Sequence, residues 1–390
     1  MAVRERPMLG EMPEIEIEEL FGMYRPPVIV CGSSGSGKTV MLVDALRRNS
    51  VTATRIVVVT NSYSSVENAY LRSQVPKAIV REFDVRTLAA IWNDIIVRQD
   101  NYAKHTSIDA VDAFVQKHCT GNPNFRGIHL KLESLKNELS AAFSGQQKEY
   151  DEAVKMLHHD INLKFIAHNF WEKLPDLSEQ DRLTVRACRS TPPHPIIYFD
   201  DVTAQLSSLK TMKDKVTIPI RHEGVASNTE MSQKDAALAL LLEMMTKGRQ
   251  YAEIAFFVHN FSTFESNLRQ LVGPVVICTT TEAAEFSRIR TFGSAASKQA
   301  QERFKAIGGD GIHKLVFFPN LAFSPSGSEF AVIAAKKYEQ SIQHGCPNWQ
   351  LQFAALMRAA SRYTRLEESE EIRQQGEDRT RMNVAEFLDV

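Results

Sequence analysis

The sequence predicts an α/β fold with a mainly parallel sheet, interrupted by a helical insertion. Two observations carry that reading. Short, continuous, β-branched or aromatic runs recur at VIVC (28–31), IVVV (56–59), IIYF (196–199) and IAFF (254–257), the pattern of strands covered on both faces. Between the second and third of these runs, apolar residues fall at intervals of three and four instead, as on amphipathic helices.

Taken in order, residues 1–25 include the acidic, apolar-interspersed EMPEIEIEELFGMY, expected as an N-terminal arm or a lead-in strand. Residues 26–94 form the first part of the core. Its strand VIVC runs into GSSGSGKT, and VMLVDALRR follows with apolar residues near helical spacing. Gly32, Gly37, Lys38 and Thr39 satisfy G-x-x-x-x-G-K-[ST], with Ser33, Ser34, Gly35 and Ser36 completing the loop. Between a strand and a helix this pattern suits a nucleotide triphosphate. Glycines let backbone amides converge on phosphate oxygens, and the helix amino end adds partial positive charge. Lys38 would reach the β- and γ-phosphates, and Thr39 would offer a hydroxyl to Mg²⁺. RIVVVTNS is the next strand, with Asn61 and Ser62 just past its end, where ligands of parallel sheets gather.

Residues 95–190 are the helical insertion, with segments such as LESLKNELSAAF and EYDEAVKMLHHDINLKFIAHNFWEKL. His158, His159 and His168 have no acid or cysteine at a recognised metal spacing and read as surface residues. Strands resume in residues 191–340. IIYF ends in Asp200 and Asp201, where one acid would hold Mg²⁺ and the next would act as general base on water. EIAFFVHN, GPVVICTTT, HKLVFFPN and EFAVIAAKK are the later strands, and residues 341–390 a charged tail.

The chain of 390 residues has a formal net charge of −1, which argues against a highly basic coating protein. Its five cysteines include no C-x-x-C pair, so neither a zinc site nor a disulfide framework is expected. No secretory n-region and h-region open the sequence, and no apolar run reaches membrane-spanning length, so an intracellular, reducing setting is expected.

A Walker-type loop on the first core strand and paired acids on a distant one indicate a RecA-like (ASCE) P-loop NTPase core. The succession GSSGSGKT (32–39), IVVVTNS (56–62), IIYFDD (196–201), TKGRQYAEIAFFVHN (246–260) and LRQLVGPVVI (268–277) resembles the poxvirus-type genome-packaging ATPases within the FtsK/HerA group of motors. The resemblance covers residues 26–94 and 190–335. It implies ATP and Mg²⁺ as cofactors, and a homo-oligomeric ring of five or six subunits. It also implies translocation of double-stranded DNA into a preformed capsid, capsid vertex proteins as partners, and a place in the virion or the host cytoplasm. In that family a Gly-Arg-His segment precedes a strand ending in a polar sensor, usually Gln, and an arginine follows. Here Gly248-Arg249-Gln250, His259-Asn260 and Arg269 stand in those places, so Gln250 replaces the His, and Asn260 or His259 the Gln.

By the same resemblance Arg249 and Arg269 are the candidates for a finger reaching a neighbour's site, with Arg288 and Arg290 behind them. Lys210, Lys213, Lys215, Arg221 and His222, in LKTMKDKVTIPIRHEG, are placed where a pore loop would grip DNA phosphates. Two other readings stay open: a single-core hexameric helicase, and a nucleotide-gated assembly or signalling NTPase. A nucleoside kinase is disfavoured by the absence of an arginine-rich lid, and a GTPase by the absence of an N/T-K-x-D motif after Asp200.

Overall fold

The structure, a computed structural model, describes residues 8–9, 12–33, 35–60, 66–75, 78–128, 132, 136, 140, 147–201, 215–222, 225–259, 268, 271, 273–278, 294–307 and 313–335. Two compact units divide the chain, one holding Met1–Ile95 and His194–Val390, the other Ile96–Pro193.

The first unit is built on a ten-stranded sheet. In chain order its strands are β1 (Met8–Leu9), β2 (Met12–Ile15), β3 (Val28–Cys31), β4 (Arg55–Thr60), β5 (Ala78–Arg81) and β6 (Pro195–Asp200). A separate hairpin, β7 (Lys215–His222) and β8 (Val225–Ser232), comes next. Then follow β9 (Glu253–Val258), β10 (Val275–Ile277), β11 (His313–Phe317) and β12 (Phe330–Ala334). Across the sheet the order is β1-β2-β12-β11-β10-β3-β9-β6-β4-β5.

From β10 to β5 every neighbouring pair is parallel. The chain leaves β3, skips two places to lay down β4 and β5, and returns through β6; β9 then fills the gap beside β3. β11 is antiparallel to both β10 and β12. This is an α/β, RecA-like arrangement, in which an added strand separates the loop-bearing β3 from the acid-bearing β6.

The apolar runs become these strands because both faces of the sheet are covered. All four residues of β3 and all six of β9 are buried. Side chains alternate between faces: Phe199 stacks on Phe256 with ring centroids 4.7 Å apart, while the next residues along, Tyr198 and Phe257, meet at 5.6 Å. The helix α1 (Ile17–Leu20) is followed by α2 (Lys38–Asn49), which buries Met41, Leu42, Val43, Ala45 and Leu46 in the core. The acidic amino-terminal stretch, expected as an arm or a lead-in strand, pairs as a strand: β2 runs parallel to β12 in the register Val332↔Glu14. Arg48 of α2 draws its end inward, bonding Glu18 at 3.0 Å and Glu16 at 3.2 Å.

At the edge where β9 begins lies a buried carboxylate. Glu253 is 2% exposed and accepts from Asn49 Nδ2 at 2.8 Å, from the Tyr198 hydroxyl, and contacts His194 Nε2 at 3.1 Å. An unpaired carboxylate there would cost several kcal/mol, so these partners are what make the burial tolerable. They also tie the end of α2 and the start of β6 to β9.

The helices α3 (Val66–Gln74) and α4 (Val85–Thr106) follow β4 and β5. Residues 215–222, expected within a pore loop, instead form β7, paired antiparallel with β8 from Lys215↔Ser232 to His222↔Val225. Alternation explains it, since Val216 and Ile218 are buried on one face. Pro219 is tolerated because each strand of a two-stranded sheet is an edge. β8 leads into α8, the helix Gln233–Tyr251 that ends beside Glu253.

The second unit begins within α4 and packs α5 (Ile108–His118), α6 (Gln147–Asn169) and α7 (Glu179–Arg189) around Val111, Phe114, Phe165, Ile166, Phe170 and Val185. Ser107 and Ser178 cap α5 and α7 by accepting amide hydrogens from Ala110 and Asp181. Asp181 joins two of these helices: Lys117 Nζ lies 2.6 Å and His118 Nε2 3.1 Å from its carboxylate, and the Ser178 hydroxyl donates at 2.7 Å. Burial works against its charge, but these donors outweigh that and hold its pKa at about 2, down from 3.8. The folded pKa is therefore the lower one, so the stabilisation is present above pH ~4 and is lost as pH falls toward ~2. Asp181→Asn should cost on the order of 1–2 kcal/mol at neutral pH. In paired denaturant titrations, the gap between variant and wild type should close as pH falls through that window.

Candidate functional site

The site begins where β3 ends. Gly32 has no room for a side chain: a Cβ there would meet Ser36 Oγ at 2.5 Å and Cys278 Cβ at 2.9 Å. Gly35 and Gly37 have φ of +76° and +88°, in the left-handed region that glycine adopts without strain. Gly37 is the N-cap of α2, so the loop closes onto a helix amino end, where amide dipoles favour an anion. Lys38, the first residue of that helix, is 7% exposed. Its ammonium folds back over the loop and donates to Gly32 O at 2.7 Å and Ser33 O at 3.0 Å. A second ammonium reaches the loop from β11: Lys314 Nζ donates to Ser36 O at 3.0 Å. Thr39 is half-buried in the first turn of α2, and Ser33 is exposed; Ser34 lies outside the described residues.

The acids face this loop from β6. The Asp201 amide donates to Phe257 O at 2.7 Å, while the Gly32 amide donates to Val258 O at 3.2 Å. The end of β9 therefore holds the acid turn on one side and the phosphate loop on the other. Asp201 has φ +56°, a left-handed conformation that aspartate tolerates better than most residues. That twist breaks the strand's side-chain alternation, and both carboxylates act on Lys38. Burial lowers the Lys38 pKa, while the Asp200 and Asp201 carboxylates partly restore it.

His259, just past β9, spans the gap. Its Nε2 lies 3.2 Å from Asp201 Oδ2 and its Nδ1 3.4 Å from Lys38 Nζ. The tautomer protonated on Nε2 satisfies both contacts, donating to the carboxylate and accepting from the ammonium. The structure thus brings together Lys38, Asp201 and His259. By motif order Asn260 or His259 stands in the sensor place; Asn260 lies outside the described residues. Lys314 belongs to no sequence motif, and its one signal there is a lysine inside the apolar run HKLVFF.

Arg249 is exposed in the last turn of α8, at the edge where β9 begins, whereas the phosphate loop lies at the edge where β9 ends. Six residues of strand, about 20 Å, separate the two edges, so Arg249 does not serve the site of its own chain. Gly248 is a packing glycine, since a Cβ would meet Ile254 Cδ1 at 2.5 Å. Arg269, Arg288, Arg290, Lys210, Lys213, Asn61 and Ser62 lie outside the described residues. Lys215 is exposed at the start of β7, and Arg221 and His222 lie at its end.

Among the described residues, no group of three or more His, Cys, Asp and Glu is placed to hold a metal alone. That is compatible with Mg²⁺, which takes one or two protein ligands and completes its shell with phosphates and water. Thr39 and Asp200 fit that role by chemistry. Cys278 does not: burial pushes its thiol up to about 11, so it stays neutral beneath the loop. Among the described residues no helix is long and apolar enough to cross a membrane.

The loop, the facing acids and the strand inserted between theirs define a RecA-like (ASCE) P-loop NTPase core. No family model and no curated protein matches the chain. Among solved structures it is similar to the pCW3 conjugation coupling protein TcpA bound to ATPγS, at 12% identity, covering 85% of this chain and 66% of that one, with a TM-score of 0.38. It is also similar to EssC (ATPases 2 and 3) from Geobacillus thermodenitrificans, at 10% identity, 90% and 44% coverage and a TM-score of 0.36. A third is the genome packaging NTPase B204 from Sulfolobus turreted icosahedral virus 2 with ATPγS, at 11% identity, 79% and 96% coverage and a TM-score of 0.32. The chain spans less than two thirds of the first two of these structures.

Gly32→Ala tests the loop geometry. The added methyl should push Ser36 and Cys278 apart and weaken ATP binding by about tenfold or more, read by fluorescence titration, with the far-UV circular dichroism unchanged.

Proposed function

We propose that this protein hydrolyses ATP to translocate double-stranded DNA and packages a viral genome into a preformed capsid, working as a homo-oligomeric ring of five or six subunits. The observation that carries the catalytic part is the Lys38–His259–Asp201 chain at the mouth of the phosphate loop. When a triphosphate enters, Lys38 exchanges its two carbonyl partners for phosphate oxygens. Asp201 takes a proton from water, the water oxygen bonds to the γ-phosphorus, and the bond from that phosphorus to the β–γ bridging oxygen breaks. ADP leaves with the bonding pair. His259 orients Asp201 toward that water and registers the position of Lys38. Thr39 and Asp200 would hold Mg²⁺, which when bound neutralises phosphate charge.

The DNA part rests on the resemblance of the motif order to packaging motors and on the basic segment around the β7–β8 hairpin. Lys210, Lys213, Lys215 and Arg221 would meet backbone phosphates, which suits a cargo of any sequence. Arg249 and Arg269 are the candidates for a finger that completes a neighbour's site, stabilising transition-state charge only when subunits are in register. Capsid vertex proteins would be the docking partners, and the virion or host cytoplasm the place of action.

Asp201→Asn and His259→Ala should each keep ATP affinity within about threefold of wild type and lower turnover by about a hundredfold and tenfold respectively. Equal loss of binding and turnover in Asp201→Asn would remove it as the base. Steady-state hydrolysis with and without long double-stranded DNA tests the motor. Several-fold stimulation that fades between low and moderate salt is expected. Turnover indifferent to DNA would overturn translocation and leave a nucleotide-gated assembly factor.

A further inference from the structure

Lys314 is 1% exposed near the start of β11, an interior strand of the sheet, 278 residues from the loop carbonyl it binds. A buried ammonium is costly unless it is well supplied with acceptors. Its place there is set by strand register. The antiparallel pair Ile277↔Leu315 puts Lys314 beside Cys278, and Cys278 lies against Gly32 at the start of the loop. The lysine therefore sits under the loop, and its Nζ donates to Ser36 O at 3.0 Å.

What that contact does follows from peptide geometry. In a trans peptide the carbonyl and the following N–H point in opposite directions. Holding Ser36 O toward β11 turns the Gly37 N–H away from the sheet, toward the hollow of the loop. Gly37 does not fix this orientation by itself. At φ +88° it is a glycine that adopts either sign of φ at little cost, so the Ser36–Gly37 peptide is the point where the loop is freest to flip. Successive amides aimed into one hollow make an anion site, and one flipped peptide would present a carbonyl oxygen to a phosphate instead.

We propose that Lys314 is a positioning residue for the phosphate loop, locking the Ser36–Gly37 peptide so that the Gly37 amide faces the nucleotide's phosphates. This rests on the nucleotide-binding reading above. Lys38 grips the loop from the ligand side and moves when phosphate arrives. Lys314 grips it from beneath and stays.

The test uses the full chain, with ATPγS affinity and far-UV circular dichroism measured on wild type, Lys314→Met and Lys314→Arg. Met keeps the volume without a donor, and should weaken ATPγS binding by about tenfold or more while the fold is retained. Arg keeps a charged donor, and should bind within about threefold of wild type. Hydrogen exchange of the loop amides should quicken in the Met variant and not in the Arg variant. A folded Met variant that binds like wild type overturns the lock while leaving the nucleotide reading in place. Equal loss in both folded variants also overturns it, since the lysine would then act by shape. If Met does not fold, Arg decides alone: retained binding supports the lock, and lost binding overturns it. Failure of both to fold assigns Lys314 to the core and overturns it too. A wild-type chain that does not bind ATPγS sinks the nucleotide reading itself.

Discussion

The site depends on one constraint, the hydrogen bonding of β9 to β3 on one side and β6 on the other. The strand ends with two successive carbonyls given away in opposite directions, Phe257 O to the Asp201 amide and Val258 O to the Gly32 amide. The phosphate loop and the acid turn thus share one support, and His259, the next residue, is delivered between them. A one-residue slip in either ladder would turn every side chain of β9 to the other face and take His259 out of reach of both Lys38 and Asp201.

Charge is distributed unevenly over this sheet. One edge holds a buried carboxylate, Glu253, satisfied by Asn49 at the end of α2, by His194 just before β6 and by Tyr198 within it. The other holds two buried ammonium groups, Lys38 and Lys314, which both donate to carbonyls of a single loop. The first arrangement closes the core and has nothing left to offer. In the second, the partners of Lys38 are carbonyl oxygens that phosphate oxygens can replace, so the charge that makes the site costly to build is the charge that draws a polyphosphate to it. Asp200 and Asp201 counter that potential.

Much of this was legible in the sequence, for identifiable reasons. Strands buried on both faces leave apolar runs, so β3, β4, β6 and β9 announce themselves, and the glycines of 32–39 report left-handed backbone at Gly35 and Gly37 and a close approach at Gly32. Less legible was whatever depends on partners distant in the chain. β2 reads as either an acidic arm or a lead-in strand until β12 is there to pair with it. Residues 215–222 read as part of a basic loop because Lys215, Arg221 and His222 stand out more than the alternation of Val216 and Ile218. Arg249 reads as a site residue because a motif places it beside a strand, but linear order does not say at which end of that strand the chemistry lies. Lys314 stayed hidden for a similar reason: one lysine in an apolar strand is a weak signal until the sheet order sets it under the loop.

The β4–β6 ladder pairs Arg55 with Pro195, with all of Ile96–Pro193 intervening along the chain. Closing so long a segment is entropically unfavourable, and long-range parallel pairing is slow. On a ribosome the glycine loop is made first, while the Lys314 that braces it is made 278 residues after Ser36, roughly 15 to 55 s later at ~5–20 residues per second. Until Asp200 and Asp201 are made, the nascent chain displays a complete phosphate-loop motif without its acids, and until Lys314 is made it also lacks its underpinning. A chain at that stage has the loop without the strand that supports it, so a ligand that reads the finished cradle can select this protein only after β11 has joined the sheet.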